Sequence, residues 1–291
     1  MNWLLALKLK SEGVIMEKLS LGIFKVNLNA ILKCFIRISG IIFSLVGFIA
    51  AFIDFSGCFN SWGSAIIYIF IILFLIFIAS AVITLFVKRK VVFCSKNQKK
   101  LTVAYGDLFE EQSEIKVIAV NRCFDTEVND DLISIKTVHG KWIKKNPNIN
   151  IEEQIESSLK RQGLVGIEVS EKRLGNKLRY PVGTVAEVKD GKVTYFLLAL
   201  TEMNENLNTH CTLDDYCIAI SKLMSYFDQR GQGNDMAMPI MGSGFSRLDR
   251  SEEELLIFMI QLIKIRQNKM RGNIKIIVHE SLKSVLSIAD L

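Results

Sequence analysis

Two long apolar runs near the N-terminus constrain this chain more than any other feature. They cover about Phe35–Phe55 and Ser64–Val87. At about 1.5 Å per helical residue, a run of roughly 20 residues crosses a hydrocarbon core of about 30 Å. The charges inside the runs, Arg37 and Asp54, sit near their ends. The link Ser56–Gly63 is short, so an antiparallel two-helix transmembrane hairpin is expected. Two buried helices of a soluble core would have the same length. Unbroken apolar character between charged brackets argues against them.

Charge sets the expected orientation. Lys8, Lys10, Lys18, Lys25 and Lys33 precede the first run, and Lys88, Arg89 and Lys90 follow the second. The connecting loop carries no Lys or Arg. The positive-inside rule then places both flanks, and both termini, in the cytoplasm. Trp3–Leu7 is too short for the apolar stretch of a cleaved signal peptide, so none is expected. The formal net charge of +6 comes from the membrane-proximal part, since residues 91–291 hold about 27 charges of each sign. That balance fits anchoring to an anionic leaflet and excludes a strongly basic nucleic-acid domain. The six cysteines form no C-x-x-C pair, and the three histidines lack metal-ligand spacing, so neither disulfides nor a zinc site is expected.

Three regions follow: an N-terminal segment 1–34, the two-helix membrane region 35–90, and a soluble domain 91–291. The first segment is either an interfacial helix on the inner membrane face or, in part, residues upstream of a true start at Met16. In the first run Gly40, Ser44, Gly47 and Ala51 share one helical face. Small residues let helices approach closely in lipid, either within the hairpin or between protomers.

The soluble domain alternates strand and helix signals. Lys90–Cys94 and Leu101–Val103 are expected strands around Asn97, and Lys116–Val120 a buried strand. Asn150–Gln162 is an expected helix with Asn150 as N-cap. Gly183–Val188 and Lys192–Leu200 make a hairpin through Asp190-Gly191. Thr212–Gln229 is an amphipathic helix, Ala237–Met241 a strand, Ser251–Met270 a helix opened by a capping box, and Ile274–His279 a last strand. The fold class is therefore α/β, a mixed sheet flanked by helices behind a transmembrane hairpin.

Two loops stand at strand ends, where α/β sheets bind ligands. Gly242-Ser243-Gly244-Phe245-Ser246-Arg247 lets backbone N–H groups approach a phosphate, or is simply a tight connection. No Gly-Lys-Ser/Thr follows, so it is not a Walker A loop. The second loop is Asn121-Arg122-Cys123-Phe124-Asp125-Thr126.

The motifs Tyr105-Gly106-Asp107-Leu108, Val117–Asn121 and Pro239-Ile240-Met241-Gly242-Ser243-Gly244-Phe245 resemble, in order and spacing, those of macro domains. The stretch Asn121–Thr126, then Asn129–Ser134, then His139-Gly140-Lys141, is similar to the macro domain of Thoeris anti-phage effectors. Some of these carry two transmembrane helices ahead of it. The resemblance implies an ADP-ribose-binding fold. By it, Asp107 reads the adenine amine, with Leu108 beside it, although the same carboxylate has an alternative role as a turn cap. Gly242, Ser243, Gly244, Phe245, Ser246 and Arg247 cradle the diphosphate. Asn121, Arg122, Phe124 and Asp125 lie beside the distal ribose. Arg122 or Arg247 contacts phosphate or stays solvated, and Phe245 packs on the ligand or fills core. His139 is a structural loop residue rather than a catalyst.

Hydrolytic macro domains have a second asparagine three residues after the first, where Phe124 stands here. The resemblance thus implies a non-enzymatic effector in the bacterial inner membrane, without cofactor. It would be switched by a nucleotide second messenger from a TIR-domain partner enzyme, with histidine–ADP-ribose as the specific candidate. Binding would drive homo-oligomerisation and membrane disruption. The alternatives are a membrane-anchored ADP-ribosyl hydrolase and a passive binder of ADP-ribosylated proteins.

Overall fold

The computed structural model describes residues 2–51, 62–129, 131–204, 207–242 and 248–291. The chain divides into two compact units, Met1–Lys90 with Ser281–Leu291, and Val91–Glu280. The sequence reading joined residues 281–291 to the soluble domain. In the structure they pack with the long helices.

The first unit holds α1 (Asn2–Ala50) and α2 (Trp62–Leu85). The N-terminal segment and the first apolar run are one continuous 49-residue helix. Ser20–Ala50 and Gly63–Leu85 are each long and apolar enough to cross a membrane, with 6% and 11% of their most apolar windows buried. Helices of a soluble core would be mostly buried. The two helices pack together, with Phe35 edge-on to Phe77 at 5.9 Å. Among the described residues, a Cβ added at Gly40 or Gly47 would meet nothing within 4 Å, so these two glycines are not packed against α2. Residues 52–61, including Asp54 and Cys58 and most of the expected connection, lie outside the described residues.

The second unit begins with β1 (Arg89–Cys94), β2 (Lys100–Tyr105) and β3 (Ile115–Asn121), followed by α3 (Val138–Lys145) and α4 (Ile151–Arg161). Next come the short pair β4 (Ile167–Glu168) and β5 (Leu178–Arg179), the hairpin β6 (Val185–Asp190) and β7 (Val193–Met203), and β8 (Thr209–His210). It closes with α5 (Leu213–Arg230), β9 (Met236–Pro239), α6 (Glu252–Ile265) and β10 (Ile274–Val278). The sheet order is β1-β2-β10-β9-β3-β7-β6, with β8 attached to β7. The pairs β2–β10, β10–β9, β9–β3 and β3–β7 are parallel, and β6–β7 and β7–β8 are antiparallel.

Local chemistry fixes most of these elements. Asn150, Thr212 and Ser251 cap α4, α5 and α6 by accepting from the N–H groups of Glu153, Asp215 and Glu254. Ser251 and Glu254 complete the reciprocal capping box. Gly191 takes a φ of +55° in the β6–β7 turn. Helix α6 ends at Ile265, short of the expected Met270, and a 3₁₀ turn covers Gln267–Lys269. His139 sits on α3 rather than in a loop. Strand β3 is buried along nearly its whole length, as a central parallel strand must be. Ile118, Val120, Trp142, Ile155, Leu197 and Ala199 build one core against it.

Candidate functional site

Five parallel strands point their C-terminal ends the same way, so the segments that follow them meet at one edge. Asp107 follows β2, His279 follows β10, Gly242 follows β9, Asn121–Asp125 follow β3, and Met203 ends β7. Strand β10 lies between β2 and β9, with Val278 paired to Tyr105, and the Val278 carbonyl accepts the Gly106 N–H at 3.0 Å.

Asp107 is half-buried, and one carboxylate oxygen accepts the Phe109 N–H at 2.9 Å. The turn-cap role is therefore present in the structure. Lys116, buried on β3, donates to the Phe109 carbonyl at 2.8 Å. Burial pushes the Lys116 pKa down, and the carboxylates of Glu111 and Asp107 oppose that shift. Leu108 is buried as part of the core.

Asn121 spends its amide on its own loop. Its Oδ1 accepts the N–H groups of Cys123 (3.0 Å) and Asp125 (3.3 Å), and Nδ2 donates to Asp125 Oδ2 at 2.9 Å. A register shift between Val120 and Asn121 marks where the strand leaves the ladder. Arg122 turns into the protein rather than out: Nε donates to the Tyr180 carbonyl at 2.9 Å and Nη1 to Glu202 at 2.6 Å. Glu202 also pairs with Arg179. The Arg122 guanidinium is thus held by Tyr180 and Glu202 rather than left in solvent.

Phe124 is 2% exposed and stacks edge-on to Tyr180 at 5.7 Å. It holds a φ of +52°, a left-handed conformation that costs a non-glycine residue about 1–3 kcal/mol. Its ring belongs to the core, so the loop is strained in order to bury it. Asp125 is 1% exposed and accepts from three donors: Lys172 Nζ at 2.6 Å, the Asn176 N–H at 2.6 Å, and Asn121 Nδ2. Lys172, also 1% exposed, donates in addition to the Asn176 carbonyl at 2.9 Å. Asn176 Nδ2 reaches the carbonyls of Cys123 (3.2 Å) and Phe124 (3.0 Å). Gly175, at φ +76°, lies against the Asp125 carboxylate, where a Cβ would collide with it.

The segment around Lys172–Asn176 therefore straps the Asn121–Asp125 loop from outside. Sequence reasoning passed over it. Lys172 sits in the polar run Glu171-Lys172-Arg173-Leu174-Gly175-Asn176-Lys177, where every local signal indicates a solvated loop. Beyond this loop a cleft of about 350 Å³ opens at the end of β7, lined by Lys172, Arg179, Glu202, Met203 and His210.

Gly242 takes a φ of +91°, and a Cβ there would come within 2.9 Å of Tyr216 and 2.8 Å of Leu248. Tyr216 donates to the Met241 carbonyl at 3.0 Å and fixes the strand end from below. The expected phosphate-loop residues Ser243, Gly244, Phe245, Ser246 and Arg247 lie outside the described residues. His139 is buried beside Trp142, ring centroids 6.2 Å apart, and burial lowers its pKa to about 3. It is neutral at physiological pH.

Over residues 101–279 the sequence matches the family described as Thoeris protein ThsA, Macro domain. The chain belongs to the ThsA macro-domain family. A Thoeris protein ThsA from Bacillus amyloliquefaciens (strain Y2) is 26% identical over 191 residues, which is 62% of each chain. The chain thus matches less than two thirds of that relative's length. Among solved structures, the Oceanobacillus iheyensis macrodomain with ADP aligns at a TM-score of 0.44 and 13% identity, covering 67% of this chain and 92% of that one. The macrodomain of Thermus aquaticus DarG aligns at 0.39 and 14%, covering 62% and 97%. The strand order and edge geometry described above are those of this ThsA macro-domain chain itself.

Proposed function

We propose that this protein is a membrane-anchored anti-phage effector whose macro domain binds an ADP-ribose-derived signal at the C-terminal edge of its parallel strands. The observation that carries the reading is the meeting of Asp107, Gly242 and the Asn121–Asp125 loop at that edge, in a chain of the ThsA macro-domain family. Asp107 reads adenine, and the Gly242 turn with the segment 243–247 holds the diphosphate. The Asn121 loop meets the distal ribose through its backbone and rim. Arg122, Phe124 and Asp125 act as positioning residues, because their side chains are committed to Glu202, the core and Lys172.

The signal comes from a TIR-domain partner enzyme, and histidine–ADP-ribose is its leading candidate. The apolar run that begins at Phe35 and the stretch Gly63–Leu85 span the inner membrane with both termini in the cytoplasm. The unpartnered Gly40–Gly47 face pairs protomers when the signal arrives, and the assembled spans disrupt the membrane. The ligand drives this only if it binds the assembled state more tightly.

Hydrolysis is the competing reading. Two observations oppose it: Phe124 is a buried aromatic where hydrolytic relatives carry an asparagine, and the Asn121 amide is consumed inside its loop. Calorimetry with ADP-ribose on the purified chain, together with a turnover assay on an ADP-ribosylated protein, tests both readings. Binding without release of ADP-ribose is expected. Sustained release promotes the hydrolase, and absence of binding removes the effector model.

A further inference from the structure

The last eleven residues join the unit of the long helices, although they continue directly from the sheet. They start in a 3₁₀ turn, Glu280–Ser284, and then run beside α1. Ser284 lies against Gly22, where an added Cβ would sit 3.3 Å from the Ser284 Cβ. Ser287 Oγ donates to Asn27 Oδ1 at 2.6 Å, while Asn27 Nδ2 is turned the other way, onto the Ile23 carbonyl at 2.8 Å. Lys33 pairs with Asp290, and Lys90 Nζ donates to the Ala289 carbonyl at 3.2 Å. Asn27, Leu286 and Ile288 are buried.

The contact order 22–284, 27–287, 33–290 means that the tail follows α1 in the same direction, toward the apolar run. Eleven helical residues rise about 16 Å; along them the tail runs as the 3₁₀ turn Glu280–Ser284 and then turns at Val285 and again at Ala289 and Asp290, with Lys33 reaching Asp290 through its long side chain. At its other end the tail leaves β10 two residues after Val278. That strand end lies between Asp107 and Gly242, and a ligand touching both straddles it.

We propose that Ser281–Leu291 is a latch: it holds α1 in the resting protein and leaves the helix when ligand occupies the sheet edge. This rests on the ADP-ribose reading for its trigger. The hold suits release. Its ion pair is largely exposed, with Lys33 66% accessible, and such pairs are weak. No strand ladder ties the tail down, and its main hold is the burial of Leu286 and Ile288 with the Ser287–Asn27 hydrogen bond, so taking the tail from about 1% to about 99% free requires ligand to bind the free form about 10⁴-fold more tightly. Release uncovers Asn27 on a stretch of α1 where Leu21, Leu28 and Leu32 are already exposed.

Two measurements on the full-length protein decide the matter. In the first, Asn27→Cys/Ser287→Cys protein in lipid nanodiscs is treated with a short bis-methanethiosulfonate reagent, and the 27–287 peptide pair is quantified by mass spectrometry. Saturating ADP-ribose, with binding verified by calorimetry, is expected to cut the cross-linked fraction at least three-fold. An unchanged or increased fraction overturns the latch. In the second, Asp290→Lys protein is reconstituted without ligand into dye-loaded vesicles of phosphatidylethanolamine and phosphatidylglycerol. Reversing an exposed charge leaves the fold intact, and leakage several-fold above that of the parent is expected. Vesicles as tight as the parent's overturn the latch. Failure of ADP-ribose to bind at all refutes the functional reading instead, and the second arm then decides the latch alone.

Discussion

Replacing Lys172 by Met tests whether the buried ion pair is what holds the site loop. Lys172 and Asp125 are each 1% exposed, and Nζ lies 2.6 Å from Oδ2. Met keeps the length and volume of the side chain but removes its charge. Asp125 would then be a buried carboxylate left with two donors, the Asn176 N–H and Asn121 Nδ2. Removing one partner of such a pair costs about 3–5 kcal/mol. The unit Val91–Glu280 has its own core and is the fragment to measure. With a urea dependence of about 2 kcal/mol per molar, the unfolding midpoint falls by about 2 M. The double variant Asp125→Asn/Lys172→Met no longer buries a charge and keeps an acceptor for the Asn176 N–H. It should recover more than half of the loss. A single variant within about 1 kcal/mol of the parent would show that the carboxylate is hydrated or neutral, and the argument would fail.

Three other outcomes follow from the geometry. The pKa of His139 is held near 3 in the folded state against 6.5 unfolded, so the unfolded chain binds the extra proton below about pH 6.5. Stability from this group is complete above pH 6.5 and is lost as pH falls toward 3; between pH 7 and 4.5 a His139→Asn variant should lose about 2.5 kcal/mol less than the parent in urea titrations. Asp107→Asn keeps an oxygen for the Phe109 N–H, so its melting temperature should hold, while ADP-ribose affinity falls by about 1.5–3 kcal/mol in calorimetry; equal affinity would leave Asp107 a turn cap alone. Gly47→Ile adds a side chain where nothing lies within 4 Å, so insertion and ligand binding should persist while vesicle leakage is lost; full leakage would dismiss the small-residue face as a contact between protomers.

Elements whose cause is local were legible in the sequence. Asn150, Thr212 and Ser251 each announce a helix because the side chain satisfies an N–H three residues on. Asp190-Gly191 announces a hairpin because Gly191 supplies the positive φ. The strands of the ladder β2–β10–β9–β3–β7 were legible one by one, but their order in the sheet was not, because the partners of a parallel ladder lie far apart in the chain. Elements whose cause is distant were not legible. Helix α3 lies in a stretch read as loop, and it is anchored by Thr137 and by burial of His139 and Trp142. Lys172 is buried because a carboxylate 47 residues earlier needs it, and no neighbour in sequence signals that. At the site, Asn121 and Gly242 stand at strand ends as expected. That the side chains of Arg122, Phe124 and Asp125 turn inward depends on Glu202, Tyr180 and Lys172, which no local pattern connects to them.

Helix α1 runs unbroken through 49 residues, about 73 Å. A stiff rod of that length is a lever. Tilting it by about 5° about one end carries the other sideways by about 6 Å, slightly more than one helical turn. A side-chain-sized adjustment near Asn27 or Lys33 is therefore magnified at Ala50 into a displacement large enough to exchange one set of neighbours for another. The absence of a joint between the two halves of the helix makes this magnification possible. A kink inserted between Lys33 and Gly40 would absorb the tilt before it reached the lipid.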